Sequence, residues 1–348
     1  MGTDTFPVRL ENAVVFNGRT YEQLSSQDDL RRMASDVEVD FHRGRFQDFY
    51  KSVDLQKELA LLSHRFSSSQ AEQVQSSLSL LRQQGALQMA DGALVGKDAY
   101  HRAALVYYTL QRGASTLGYP GGTAIFKRAI TDLHDKLIEN PRVLLLGFST
   151  IYSLENLAAM LHVADVKNPT ICAFDFNENP LEIAQKYCGN ELYGVKIEYR
   201  QGNILHRLGI DENIWDMVAT HLFFTHIRSY DKSEVICKIQ RGLKHGAHFV
   251  DEELCVNSNV KPNLLPYFLS LVNSYKGEMS NARRDLMSCM QTFANHDHFY
   301  PFESDLDIEQ YFRRERFHLD LVWQKSAEIL LNNGRVTNGK WYSLRAIK

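Results

Sequence analysis

The sequence predicts an α/β protein: an open, doubly wound, mostly parallel sheet preceded by a mainly helical N-terminal domain. Three observations carry that prediction. Val143 to Leu146 is an unbroken apolar run between Pro141 and Gly147, which is how a strand buried on both faces of a parallel sheet reads. Thr170 to Phe174 repeats the pattern and ends in a carboxylate, Asp175, with an amphipathic helix over Ser153 to Val163 between the two strands. Further alternating strand and helix patterns continue to Val250, and an antiparallel pair, Phe317 to Val322 with Trp341 to Ile347, separated by turns at Asn332-Asn333-Gly334 and Asn338-Gly339, closes the chain.

Length and composition set the bounds. The 348 residues suffice for two domains and a sizeable core. Hydrophobic residues make up 44% and charged residues 23%, an ordinary globular balance. A net charge of −3 gives no global field toward nucleic acid or anionic membrane, so neither is expected as a partner. The five cysteines form no Cys-x-x-Cys pair and read as reduced thiols. Met1 to Leu10 lacks the basic-then-apolar pattern of a signal peptide, and no apolar run reaches membrane length. A cytoplasmic location is expected.

Taken in order, the chain opens with short β-like pieces, among them Ala13 to Phe16, that suit a hairpin or a wrapped arm. Asp28 to Leu62 turns helical, with Leu55, Leu59 and Leu62 on one face. Ser69-Gln-Ala-Glu72 is a capping box that starts another helix, which Gly85 ends. Ala86 to Val95 reads as a hairpin around Asp91-Gly92, and helix plus hairpin outlines a winged helix. The preceding helix is not basic, so a dimerisation or lid module fits better than a DNA reader. A further helix over Asp98 to Gln111 precedes the clearest break, Gly113 to Gly122. The domains are therefore drawn at 1–118 and 119–348, with a helical insertion at 260–293. In the second domain a helix is expected over Asn177 to Lys186, capped by Asn179 with Pro180 at its first position. The remaining strands are expected at Val195 to Tyr199, Trp215 to Thr220 and Ala247 to Val250, and Asp251-Glu252-Glu253 just beyond the last reads as a solvated loop or as a holder of a substrate amine.

Strand, tight turn, helix, strand and acid form the first half of a nucleotide-binding unit, in which the turn offers backbone N–H groups and the acid takes two ribose hydroxyls. Only Gly147 supplies a glycine at the turn, so a pyrophosphate cannot approach closely, which argues against NAD or FAD. A ligand without phosphates, such as S-adenosylmethionine (SAM), needs less room. The same unit occurs in α/β enzymes of other kinds.

The ordered set extends the argument: Leu-Leu-Leu-Gly147 at the first strand, Phe-Asp175-Phe-Asn at the second, Gly202-Asn-Ile after the third, Trp215-Asp-Met-Val at the fourth, and a closing hairpin. Residues 141 to 348 resemble a class I SAM-dependent methyltransferase. The resemblance implies a Rossmann-like sheet of that type and SAM as cofactor. Gly147, Phe148 and Ser149 would line the methionine end, with Tyr152 beside them. Asp175 would hold the ribose diol and Phe176 the adenine ring, with Asn203 and Ile204 at the adenine edge and Thr220 and His221 facing the sulfonium. The Gly-Phe-Ser-Thr turn is similar to the loop of chemotaxis-receptor methyltransferases.

A narrower resemblance is to small-molecule O-methyltransferases with an N-terminal winged-helix dimerisation domain. It implies a general base at His226, with Tyr230 and Asp231 similar to the aromatic and acidic residues that accompany it, His221 as the alternative base, and a homodimer. Tyr119, Phe223 and Glu252 are candidates for contact with a small-molecule substrate. His296-Asp297-His298 lacks a third ligand at familiar spacing, and no metal site is expected. Three activities remain open: methyl transfer to oxygen or nitrogen, SAM consumption that releases methylthioadenosine, and partner binding without catalysis.

Overall fold

The computed structural model describes residues 8–11, 13–16, 19–22, 88–90, 93–95, 120–147, 151–206, 210–256, 299–330 and 335–348. The helices expected between 28 and 111, the insertion at 260–293, the His296-Asp297-His298 run and the candidates Tyr119, Phe148 and Ser149 lie outside them. Five short strands come first: β1 (Val8–Glu11), β2 (Ala13–Phe16), β3 (Arg19–Glu22), β4 (Gln88–Ala90) and β5 (Ala93–Val95). β2 and β3 form the expected opening hairpin, and β4 and β5 pair around Asp91-Gly92.

The α/β core follows in alternation. Its elements are α1 (Pro120–Asp135), β6 (Arg142–Leu146), α2 (Ile151–Val163), β7 (Thr170–Asp175) and α3 (Glu178–Cys188). Then come β8 (Glu191–Leu192), β9 (Val195–Gln201), β10 (Trp215–Ala219), α4 (Ser229–Gly242) and β11 (Leu243–Val256). α5 (Asp305–Arg314), β12 (His318–Leu330) and β13 (Val336–Ile347) complete it. The sheet order is β1-β12-β13-β11-β10-β6-β7-β9-β8. From β9 to β11 every neighbour is parallel, and β13 enters antiparallel between β11 and β12. β1 adds in parallel to the outside of β12 over Leu321–Gln324, so the outermost strand on that side comes from residues before the break at 113–122.

Two apolar layers sandwich the sheet. Ile125, Ile130 and Leu133 of α1, Leu154 and Leu161 of α2, and Ala184 of α3 cover one face. Val235, Ile236 and Ile239 of α4, with Ile308 and Phe312 of α5, cover the other, where Phe249 and Phe312 stack at 5.3 Å. The central strands carry unbroken apolar runs, Val143–Leu146, Ile171–Phe174 and Met217–Ala219, because both faces are covered. At the amino ends of the strands, Asp216 accepts the backbone N–H of Arg142 at 2.9 Å and pairs with Lys244 at 2.8 Å, fastening β6, β10 and β11 together. Asp216→Ala removes both ties. It is expected to cost about 1 kcal/mol, read as a fall in Tm of about 2–4 °C; an unchanged Tm would count against this fastening.

Three sequence expectations need correction. The fifth strand does not stop at Val250. β11 runs on to Val256 because β13 pairs with it as far as Val256↔Gly339, so Asp251, Glu252 and Glu253 are strand residues with 1%, 1% and 0% exposure, not a solvated loop. Asn338-Gly339 likewise lies inside β13 rather than at a turn. α3 begins at Glu178, which moves Pro180 into the helix instead of its first position.

Candidate functional site

The chain reverses its direction of sheet growth between β6 and β10, and the carboxyl ends of the strands at such a reversal are where open α/β sheets bind ligands. Gly147 ends β6 with φ +70°, a conformation that L side chains adopt at a cost. A Cβ there would lie 2.4 Å from Cδ2 of Phe223, so the Phe223 ring rests directly on the glycine. Phe223 follows β10 in the segment His221-Leu222-Phe223. Leu222 is itself left-handed at φ +51°, held by its N–H donating to the Glu252 carbonyl at 2.8 Å and its carbonyl accepting from Thr225 Oγ1 at 2.8 Å. Backbone strain of this kind in a bulky residue persists only where its surroundings enforce it.

Asp175 closes β7 at 9% exposure, and its Oδ1 accepts the backbone N–H of Asn177 at 2.8 Å. Burial pushes its carboxyl up to about 7, with the N–H groups of Asn177 and Phe176 pulling it back. Phe176, the next residue, is half exposed. β9 brings up Gly202, whose N–H donates to the Asp175 carbonyl at 2.9 Å and whose Cα lies against Phe174; a Cβ there would meet that ring at 2.8 Å. Asn203 turns the chain by accepting the Leu205 N–H at 2.9 Å, and Ile204 drops into the core. Lys238 of α4 fixes this turn from below by donating to the carbonyls of Ile204 and Leu205, each at 2.9 Å. Tyr152 lies in the first turn of α2.

Beyond β10, Thr220 is fully buried and donates from Oγ1 to Asp251 Oδ1 at 2.6 Å. His221 sets Nδ1 3.5 Å from Glu252 Oε1, and Ser343 Oγ donates to Glu252 Oε2 at 3.1 Å. Burial pushes the His221 imidazole down to about 4, although 37% of its side chain remains open to water that offsets part of that desolvation. The ring is neutral at pH 7. His226 ends a short 3-10 turn, Phe224–His226, and is half-buried. Tyr230, its expected companion, is 71% exposed with Arg228 over its ring.

The structure thus gathers Gly147, Asp175, Phe176, Asn203, Thr220, His221 and Phe223 around the carboxyl ends of β6, β7, β9 and β10. Alternation along β11 splits the acidic run: Glu252 faces one side of the sheet, Asp251 and Glu253 the other. Sequence reasoning missed the grouping of Asp251 and Glu253 with Lys232 of α4. Three acids in an apolar context, where every second side chain shares a face, were the available signal.

No family model matches the sequence, and no curated protein matches it. Among solved structures the chain is similar to a SAM-dependent methyltransferase from Methanosarcina mazei: 16% identity, 62% of this chain and 96% of that chain covered, TM-score 0.40. It is also similar to phosphoethanolamine N-methyltransferase 2 of Haemonchus contortus with phosphomonomethylethanolamine and S-adenosylhomocysteine, at 15% identity, 72% and 58% coverage, and TM-score 0.45. A third is the arsenic(III) SAM methyltransferase of Chlamydomonas reinhardtii, at 17% identity, 67% and 75% coverage, and TM-score 0.39.

Proposed function

We propose that the protein is a SAM-dependent transferase acting on a small molecule, most simply by methyl transfer. One observation carries the reading. A carboxylate, Asp175, stands at the end of β7, beside the point where the sheet order reverses, with no glycine cradle for a pyrophosphate. The residues present fit the ligand: Asp175 engages one oxygen with Asn177 and keeps acceptor capacity for a diol, and Phe176 offers a ring for adenine. The antiparallel β13 between β11 and β12 is the closing hairpin of the class I type, which further supports it.

Bound SAM supplies an electrophilic methyl group. The chain's own residues bind the nucleoside, hold the acceptor in line and exclude water. Of the two candidate bases His221 is the one that directly follows β10, with Nδ1 3.5 Å from Glu252 Oε1, and its lowered basicity keeps the ring neutral and able to take a proton from the acceptor. β1 belongs to the nine-stranded sheet; the rest of residues 1–118 are proposed as a lid or dimerisation module, for which the β4–β5 hairpin would provide the wing. A second reading has its own observation. The Phe223 ring occupies the face of Gly147 where the methionine end was expected, which suits a bent cofactor and release of methylthioadenosine. Chromatography of the nucleoside product separates the two, since methyl transfer leaves S-adenosylhomocysteine.

The pH dependence tests the cofactor site. The Asp175 carboxyl, raised to about 7 in the free protein, must ionise to accept two hydroxyls. It is protonated below that value, so SAM affinity is expected to fall about tenfold per pH unit below 7 and to level off above it. Calorimetric titration between pH 5.5 and 8.5 measures this. A flat profile would remove Asp175 from the site.

A further inference from the structure

Asp251 and Glu253 lie two residues apart on the same face of β11, at 1% and 0% exposure. Each carboxylate has one oxygen engaged: Asp251 Oδ1 accepts from Thr220 and Glu253 Oε1 accepts the Phe224 N–H at 2.6 Å. The other oxygen of each, Asp251 Oδ2 and Glu253 Oε2, is buried with no hydrogen-bond partner. Leaving such an oxygen unpaired costs about 1–3 kcal/mol or more. Two within one cluster call for an occupant.

Lys232 is the cation closest at hand, and it is directed elsewhere. Its Nζ donates to the Tyr300 carbonyl at 2.5 Å and sits 3.8 Å from the centre of the Phe302 ring. Phe224, whose backbone N–H bonds Glu253, lies 5.8 Å from Phe302 ring to ring, so aromatic rings border the cluster on the Lys232 side. A metal ion would need more ligands, and the described residues contain no group of three His, Cys, Asp or Glu able to hold one. Carboxylate oxygens beside aromatic faces suit an organic ammonium, which takes both hydrogen bonds and ring faces.

We propose that Asp251 and Glu253 bind the ammonium group of an amine-bearing acceptor, on the α4 side of β11, and that Lys232 occupies the aromatic face which that group takes over. Only the word acceptor rests on the SAM reading; the cation site stands on its own geometry. Burial lifts the Asp251 carboxyl to about 7 and the Glu253 carboxyl well above its ordinary range, with Lys232 opposing both and Asp251 adding to the rise at Glu253. The free pair therefore keeps a proton at neutral pH, and an entering ammonium expels it.

Calorimetric titration of the full chain, with and without SAM, tests this with methylammonium, ethanolamine and benzylamine, and with benzyl alcohol as the neutral control. Running each in phosphate and in Tris at pH 7 counts protons through the difference in buffer ionisation heat. At least one amine should bind at least tenfold more tightly than the alcohol and release about one proton. Asp251→Asn and Glu253→Gln should each lose that preference. Lys232→Met, which removes a buried charge and should fold, is expected to tighten the amine. Equal binding of amine and alcohol, or no amine binding in either the wild type or Lys232→Met, overturns the cation site. If amines bind with proton release while SAM does not bind, the cation site stands and the cofactor reading falls.

Discussion

Asp175→Ala is expected to weaken SAM binding about 100-fold or more. The carboxylate would accept two ribose hydroxyls, and hydrogen bonds to a charged group are worth about 1.5–3 kcal/mol each. Loss of two gives about 3 kcal/mol at the low end, and every 1.4 kcal/mol is a factor of about ten in affinity. The fold should tolerate the change, because burial already disfavours the charge at this position and the Asn177 N–H is the partner it abandons. Calorimetry gives the affinity and thermal unfolding confirms that the variant is native. Wild-type affinity in a folded Asp175→Ala would mean that the site does not hold SAM by its ribose.

Gly147→Ala is expected to destabilise the protein by about 3 kcal/mol. Two separate costs add. A non-glycine residue in the left-handed region pays about 1–2 kcal/mol, and pressing a Cβ into a packed ring pays about 1–3 kcal/mol. At φ +70°, with Phe223 Cδ2 at 2.4 Å, both apply. The two parts can be separated. Phe223→Ala in the same chain should return the steric part, so the double variant should be more stable than additivity allows. Thermal unfolding of the two single variants and the double variant completes the cycle. Strict additivity would show that Phe223 does not rest on the glycine in solution.

β6 and β7 were legible because strands covered on both faces carry unbroken apolar runs, and the shortness of those runs with Pro141 and Gly147 at the ends of the first argues for a strand rather than a buried helix. Asp175 was legible because it interrupts such a run at its end. Asp251 to Glu253 were not. A run of three acids carries the composition of a loop, and the pairing of β11 with β13 across Asp251↔Leu344, Glu252↔Ser343 and Glu253↔Tyr342 keeps it extended and buried. Asn338-Gly339 misled for the same reason: a turn dipeptide was overridden by long ladders on both sides of β13. α5 went unread although its start was marked, since Ser304 accepts the Asp307 N–H at 3.1 Å as a cap. The Phe223 contact on Gly147 joins residues far apart in sequence, and no local pattern announces it. Neither does the pairing of Thr220 with Asp251, which needs the parallel register of β10 on β11.

The way the sheet ends on either side bears on how the molecules behave in a crowd. One margin is the two-residue β8 and the other is the four-residue β1, lying against β12 from Leu321 to Gln324. Each covers part of a longer strand, two residues of β9 and four of β12, and over those stretches a neighbouring molecule finds little backbone to copy, which is one way sheet proteins avoid edge-to-edge joining. Cutting away residues 8–11 would bare that stretch of the 13-residue β12, with its hydrogen-bonding groups in line for an incoming strand. The first strand of the chain therefore shields Leu321 to Gln324 of β12 from an incoming strand.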